Sequence, residues 1–390
     1  MKRLSVILGS GFSYYSGLPL VKDINIYFER DNSRMLLHFS SDEWKWYDLA
    51  NDVYKNNGSL SFDRVAYGYI LNELVNSFVF ENKRFTNYEE FYQYVLDNLS
   101  KNGFLKDICG KAKKRFDKNK EIAKDNQFYD TYASAFSAPH KRQIYNLVNY
   151  LIGELLYWRK PFDSFKDNYN TFLSYLSQFQ YKDIFTLNHD LLIEALFQVN
   201  KIDYCDGFSQ EGSVLQTDGK KIISTFNGQF NYPTNLIKLH GSVDVYKYYC
   251  FEKNEKSLNS TDEYIYFKTH DYYEKQRPMR IDPITNEILQ DFHWNITPQF
   301  ITGTNKMELI NSDYMYKKLY NEFTNQINKS EELLIIGYSY GDTHVNERIK
   351  TCLSQGFLKR IVNINPSKPF PYNPEKNIEI ENYKQINDLV

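Results

Sequence analysis

Arg3-Leu-Ser-Val-Ile-Leu8 runs directly into Gly9-Ser-Gly11-Phe-Ser13-Tyr-Tyr-Ser-Gly17-Leu-Pro19, and this junction decides the fold. The apolar run predicts a short buried strand, and the glycines predict a tight turn with helix-starting chemistry just after it. Such a turn presents backbone N–H groups and a helix N-terminus to an anion, most often a nucleotide phosphate. Glycine is needed where φ turns positive or where a phosphate approaches the main chain closely. The spacing is not the dinucleotide fingerprint G-x-G-x-x-G, because Tyr14 stands at the place of the third glycine. An ordinary strand-to-helix turn explains the segment equally well. Its weight comes from clusters further along the chain.

After Pro161 further apolar strands follow, each ending in polar residues. Asp183–Leu187 leads to Asn188-His189-Asp190 and the helical pattern Leu191–Gln198. Leu236–Leu239 precedes His240-Gly241-Ser242. Glu332–Ile336 breaks at Gly337-Tyr-Ser339-Tyr-Gly341-Asp342 before a helix over Val345–Leu353, and Arg360–Ile364 ends at Asn365-Pro366. Strands alternating with helices predict an α/β fold with a doubly wound parallel sheet. Ligands bind such sheets beyond the carboxyl ends of the strands, so these polar clusters are expected to share one crevice. Residues 31–159 read as a large helical insertion, with segments such as Ser61–Val79, Asn87–Leu99 and Lys141–Tyr157, between the two parts of the sheet domain, 1–30 and 160–390.

Composition narrows the class. The chain has 390 residues and a formal charge of −2, so no global field recruits nucleic acid or an anionic membrane. The run Lys111–Lys120 reads as a solvated helix face. Cys109, Cys205, Cys250 and Cys352 form no close pair, which argues against a disulfide framework or a zinc ribbon, and no acidic cluster has a convincing metal-binding spacing, so no metal centre is expected. No signal-peptide pattern and no run of eighteen apolar residues is present, so a cytoplasmic protein is expected. The 34 tyrosines and 28 phenylalanines predict many half-exposed rings and contacts between subunits.

Taken singly, the polar residues have ordinary readings. Asn188 can cap the helix from Leu191, His240 can be a core or turn histidine, and Ser339 and Asp342 can be a turn residue and a cap. His189, His270, His293 and His344 read as structural or exposed, since nothing in the sequence pairs them. The joint occurrence at strand ends points instead to a nucleotide site.

In order and rough spacing, the segments Gly9-x-Gly11-x-Ser13-x-x-x-Gly17-x-Pro19, Thr186-x-Asn188-x-Asp190, Leu239-His240-Gly241, Gly337-x-Ser339 and Asn365 resemble the sirtuin NAD-binding pattern. The versions here look most like the bacterial sirtuin-like defence proteins. The resemblance covers residues 3–25 and about 165–370. It implies a Rossmann-like sheet with NAD as substrate. Gly9, Gly11 and Ser13 would meet the diphosphate, and Asn188 and Asp190 would lie by the nicotinamide and its ribose. His240 would be the catalytic base, with Gly337, Ser339 and Asn365 toward the adenosine half.

Sirtuin deacylases carry a zinc ribbon that the isolated cysteines cannot build, and Leu20-Val21-Lys22 replaces their aromatic residue and arginine after the proline. The resemblance therefore implies an NAD glycohydrolase without zinc, releasing nicotinamide and ADP-ribose in antiphage defence by abortive infection. Its control would come from a homo-oligomer or from a sensor such as a HerA-like ring ATPase. An NAD-dependent deacylase, and a module that senses NAD or ADP-ribose without turnover, are the alternatives.

Overall fold

The structure, a computed structural model, describes residues 2–29, 35–40, 43–48, 63–118, 136–137, 144, 148–149, 152–153, 156, 165–210, 215–217, 223–251, 260–269, 278–282, 284–291, 298–303, 306–374 and 377–389. The chain divides into two compact units, one of residues 1–20, 156–301 and 306–390, the other of residues 21–155 and 302–305.

The first unit is built on six parallel strands. They are β1 (Arg3–Leu8), β4 (Tyr181–Thr186), β8 (Thr234–Lys238), β14 (Glu332–Ile336), β15 (Arg360–Ile364) and β16 (Glu379–Tyr383). Their order is β16-β15-β14-β1-β4-β8. Numbered by appearance in this sheet, that is the 3-2-1-4-5-6 order of a doubly wound dinucleotide-type fold, read from the other edge. The switch point lies between β1 and β14. The doubly wound α/β expectation is met.

Both faces of the sheet are covered, which is why its strands read as continuous apolar runs. Leu4, Val6 and Leu8 join Ile184, Leu334, Ile336, Val362 and Ile364 on one face, under the helices Asn170–Ser177 and Leu192–Val199. Ile7, Phe185, Ile237, Leu333, Ile335 and Ile361 lie on the other, against the helices Tyr314–Ile327 and Thr343–Gln355. Each such side chain taken fully out of water contributes roughly 1.5–3 kcal/mol, so this two-sided core is the main stabiliser of the unit.

A second sheet grows from the same chain. β9 (Gly241–Phe251) pairs antiparallel with β10 (Ser260–Lys268) and β13 (Pro298–Phe300), in a five-stranded sheet of order β13-β9-β10-β7-β5 with β7 (Ser224–Phe226) and β5 (Phe208–Gln210). The link from the parallel sheet to this one is only Leu239-His240. Gly241 makes it possible: its φ is +82°, and a Cβ there would stand 2.1 Å from the Gln299 carbonyl oxygen.

The second unit holds α2 (Val21–Glu29), the hairpin of β2 (Met35–Ser40) and β3 (Glu43–Asp48), and the helices α3 (Asp63–Asn82), α4 (Tyr88–Leu99) and α5 (Phe104–Lys118). The hairpin corrects the purely helical reading of this stretch. Asn87 caps α4 by accepting the Glu90 amide at 2.8 Å, and Phe28, Phe78, Phe85 and Phe91 pack as an aromatic cluster. On α5, Lys111 pairs with Asp107, Lys113 with Asp117 and Arg115 with Glu73. That pairing is what a solvated helix face requires. Most of the predicted helix Lys141–Tyr157, along with His270, His293 and the end of the Lys111–Lys120 run, lies outside the described residues. No described helix is long and apolar enough to cross a membrane.

Tyr69, Tyr169, Tyr175, Tyr246, Tyr248, Tyr266, Tyr316, Tyr320 and Tyr338 are among the largest fully buried side chains. Tyrosine here builds core as well as surface.

Candidate active site

The register of the parallel sheet brings the strand ends to one level. Leu8 lies beside Thr186 and Ile336, Thr186 beside Lys238, and Ile336 beside Ile364. Gly9, Gly337 and Asn365 are therefore the first residues past that line on three adjacent strands. Asn188 and His240 are each the second residue past it on the neighbouring pair. Topology thus gathers residues that the sequence scatters over more than 350 positions.

At the switch point the two glycine turns pack backbone against backbone. The Gly9 amide donates to the Ile336 carbonyl at 2.9 Å, and the Gly11 amide to the Gly337 carbonyl at 3.1 Å. A Cβ on Gly9 would lie 2.5 Å from the Gly337 oxygen, and one on Gly11 would lie 2.7 Å from the Gly337 Cα. The first demand for glycine here is chain-on-chain packing, ahead of the close approach of a phosphate.

Asn188 reaches back over this turn. Its Nδ2 donates to the Gly9 carbonyl and to Ser13 Oγ, both at 2.9 Å. Ser13 in turn donates to Asp190 Oδ2 at 2.8 Å, while Asp190 Oδ1 accepts the Leu192 amide at 3.0 Å. The side-chain contact at the start of the following helix is thus made by Asp190, and Asn188 ties β4 to the glycine turn. Asn365 donates to the Tyr338 carbonyl at 2.9 Å, and its Oδ1 accepts the amides of Ser367 and Lys368, closing a turn. Ser339 is exposed at the rim, with its carbonyl accepting Lys368 Nζ at 3.0 Å.

Flanking His240 lies a buried ionic network that the sequence reading missed. Lys238 donates to the Asp190 carbonyl and to Glu194 Oε1, the latter at 3.0 Å. Lys268 lies 2.6 Å from Asp206, 3.6 Å from Asp244 and 3.8 Å from Glu194, and Ser242 donates to Asp244 at 2.5 Å. Burial opposes the Lys268 charge, but the three carboxylates together hold its ammonium firmly protonated. The signal available in the sequence was Lys238 itself, a cation inside the apolar run Leu236–Leu239, where an unpaired charge is rarely tolerated. Removing one partner of such a network is costly because the others stay buried. Lys268→Met is accordingly expected to lower unfolding stability by about 3–5 kcal/mol in urea titration. A loss below about 1 kcal/mol would show that the three carboxylates do not depend on it.

His240 is buried, and among the described residues its Nε2 has no hydrogen-bond partner. That nitrogen lies 3.8 Å from Asp342 Oδ1. His344, which nothing in the sequence pairs, is brought to 4.0 Å from the same oxygen, and among the described residues its Nε2 also has no hydrogen-bond partner. Asp342 occupies the N-cap position of the helix Thr343–Gln355 but makes no side-chain cap bond. Its carboxylate accepts Lys306 Nζ at 2.8 Å instead, which corrects the capping expectation. Burial works against its charge, yet His240, Lys306 and His344 together hold its carboxyl at about 2.

The donor atoms of His240, Asp342 and His344 lie within 4.8 Å of one another, the grouping a divalent metal would use. The Lys306 ammonium, however, already places a positive charge against the carboxylate.

Burial pushes the His344 imidazole down to about 4, and burial with the charges of Lys238 and Lys306 pushes His189 down to about 3. His240 moves the same way, from burial first and Lys306 next. All three stay neutral in the folded chain at pH 6, whereas in the unfolded chain they begin to take up protons below about 6.5. Their contribution to stability is therefore full above that pH and is lost as pH falls toward 4 and then 3. Each such proton is worth about 1.4 kcal/mol per pH unit. Chemical denaturation at pH 7.5, 6.0 and 5.0 is expected to show a steep acid loss. The double variant His189→Phe, His344→Phe should flatten it, and an unchanged slope would reject the burial of neutral imidazoles.

A doubly wound parallel sheet with convergent glycine, Asn–His–Asp and His–Gly segments at its strand ends defines the class. A family model described as "SIR2-like domain" matches residues 182–387, and the chain belongs to that family. Among solved structures it is similar to one described as the crystal structure of a Sir2 homolog–NAD complex, at 11% identity over 99% of this chain and 86% of that one, with a TM-score of 0.31. No curated protein matches it.

Proposed function

We propose that the chain hydrolyses the nicotinamide N-glycosidic bond of NAD, giving nicotinamide and ADP-ribose. The observation that carries this reading is the placement of Asn188 and His240, each two residues past the matched ends of neighbouring parallel strands in a SIR2-like chain. The scissile bond joins ribose to a cationic pyridinium, so nicotinamide leaves neutral and needs no general acid. What the site must supply is orientation, stabilisation of an oxocarbenium-like ribose and an activated water. The water oxygen bonds to the anomeric carbon as the C–N bond breaks, and its proton passes to the neutral imidazole of His240. Asn188, held on Gly9 and Ser13, orients water and ribose without titrating.

In this reading Gly9, Gly11 and Ser13 form the diphosphate side, with Asp190 beside the nicotinamide ribose. Gly337, Ser339 and Asn365 shape the adenosine side. Depletion of NAD in antiphage defence, restrained by self-assembly or by a ring-ATPase sensor, is the biological setting we infer.

Chromatography of NAD incubated with the purified protein, beside an Asn188→Ala control, tests the reaction. Nicotinamide and ADP-ribose from the wild type alone support it. Ligand-induced stabilisation by NAD without nicotinamide release, in the presence or absence of a candidate partner, would replace it with a sensing module.

A further inference from the structure

We infer that Asp342 is a positioning residue for His240, held in place by Lys306, so that the base of the site is an imidazole–carboxylate–ammonium relay rather than a lone histidine. This inference rests on the hydrolase reading only in its kinetic part.

The first observation is a misplaced cap. An aspartate at an N-cap ordinarily turns its carboxylate onto the second or third amide of the helix, and giving up that contact destabilises the helix start. Asp342 has the extended backbone of a cap, and its carbonyl accepts the Val345 and Asn346 amides, yet its side chain turns away from the helix. The carboxylate is committed to Lys306 and to the two imidazoles instead.

The second observation is that the preceding loop is braced to keep it there. Tyr338 donates its hydroxyl to Asn346 at 2.9 Å, and that same hydroxyl accepts the Asp342 amide at 3.2 Å. Tyr340 adopts a φ of +60°, a conformation costly for a bulky residue, while its hydroxyl donates to Asn363 Oδ1 at 2.7 Å. The strain sits in the turn that aims Asp342.

The third is the orphaned nitrogen. His240 Nε2 is buried, and among the described residues it has no hydrogen-bond partner, with the Asp342 carboxylate 3.8 Å away. A buried unsatisfied polar atom of this kind is expensive, and a contraction of less than 1 Å would satisfy it. Catalytic hydrogen bonds are often long before substrate binds. Closure on Asp342 fixes Nε2 as the protonated nitrogen of the neutral ring and leaves Nδ1 to accept the proton of the attacking water. After transfer the imidazolium carries Nε2–H facing an ionised carboxylate, and the proton goes no further than His240.

The charged and titratable groups facing His240 come from three sides. His189 follows β4, Lys306 opens the helix Lys306–Ser312, and Asp342 and His344 open the helix Thr343–Gln355. Of these, Lys306 and the two other histidines disfavour a charged His240, and Asp342 alone favours it. Removing Asp342 or Lys306 should therefore shift its titration in opposite directions, which general damage to the fold would not do.

Nitrogen-15 NMR of histidine-labelled full-length protein, with His240 assigned by loss in His240→Gln, reads the tautomer without any turnover. At pH 7 we expect neutral His240 with the proton on Nε2, and a mixture of tautomers in Asp342→Asn. With NAD, Asp342→Asn should lose about 10²-fold or more in kcat with KM changed only a few-fold. The acidic limb of its kcat/KM profile should move to lower pH, and that of Lys306→Met to higher pH. A proton on Nδ1 in the wild type, or a tautomer unmoved in Asp342→Asn, would overturn the relay. So would one equivalent of divalent metal in the purified wild type that His344→Ala fails to retain. The expected tautomers with no nicotinamide release would uphold the relay and sink the hydrolase reading, which keeps the two failures apart.

Discussion

Gly337→Ala is expected to destabilise the chain by more than about 4 kcal/mol, enough to unfold a marginal domain. Gly337 sits at φ +64°, where an L side chain is strained by about 1–2 kcal/mol before any contact is counted. A Cβ there would also meet three main-chain atoms, Gly11 C, Gly11 Cα and Phe12 N, each at 2.5 Å. None of these is the end of a flexible side chain. They belong to the turn after β1, which is itself bonded to β14 through Gly9 and Gly11. Relief would require the two central strands of the sheet to part at the switch point. Gly341→Ala, four residues on, is the matched control: its φ is ordinary and its Cβ would meet only Ser339 Oγ, at 3.5 Å. The control should change stability by no more than about 0.5 kcal/mol. Urea titration of both variants measures the difference. Equal midpoints would mean that the turns separate more easily than their packing implies.

The same two turns show where the sequence was legible and where it was not. Strands β1, β4, β14 and β15 could be read because both faces are buried, so their residues form unbroken apolar runs. Their polar terminators could be placed at one end of the sheet because parallel strands all finish on the same side. The antiparallel sheet around β9 and β10 was far less clear. Its strands mix tyrosine with lysine and aspartate, a half-buried pattern that a single sequence separates poorly from loop. The hairpin β2–β3 was hidden for the same reason, inside a stretch whose neighbours are helical.

Asp342 was assigned by local rule as a cap, and a tertiary partner overrode that rule. Lys306 lies 36 residues away in sequence but 2.8 Å away in space. His344 and His240 could not be paired from spacing, because only the fold brings the helix after β14 against the link after β8. What local chemistry determines was readable, and what distant charges decide was not.

Asn188→Ala should reduce nicotinamide release by about 10²–10³-fold, the loss typical of one preorganised polar group at a reacting centre; with both Nδ2 protons committed, the Oδ1 acceptor is the atom that serves water and ribose. The size follows from how the amide is held. Its Nδ2 is bound to the Gly9 carbonyl and to Ser13 Oγ, and its own backbone amide donates to Thr186 Oγ1 at 3.0 Å. The side chain is therefore fixed before substrate arrives, and no reorganisation is needed as charge develops on the ribose. Alanine removes that group while leaving Asp190 to cap the following helix through Leu192, so the local fold should survive. Asn188→Asp is the sharper companion. It keeps the shape but replaces the donor with an acceptor facing the Gly9 carbonyl, an acceptor itself, so both the tether and the activity should be lost. Melting temperature separates the variants, with alanine near wild type and aspartate lower. Initial rates of nicotinamide release, with KM measured alongside, then assign the effect. A drop confined to kcat places Asn188 at the reacting bond, while a rise in KM with kcat intact would make it a binding residue and move the chemistry elsewhere in the crevice.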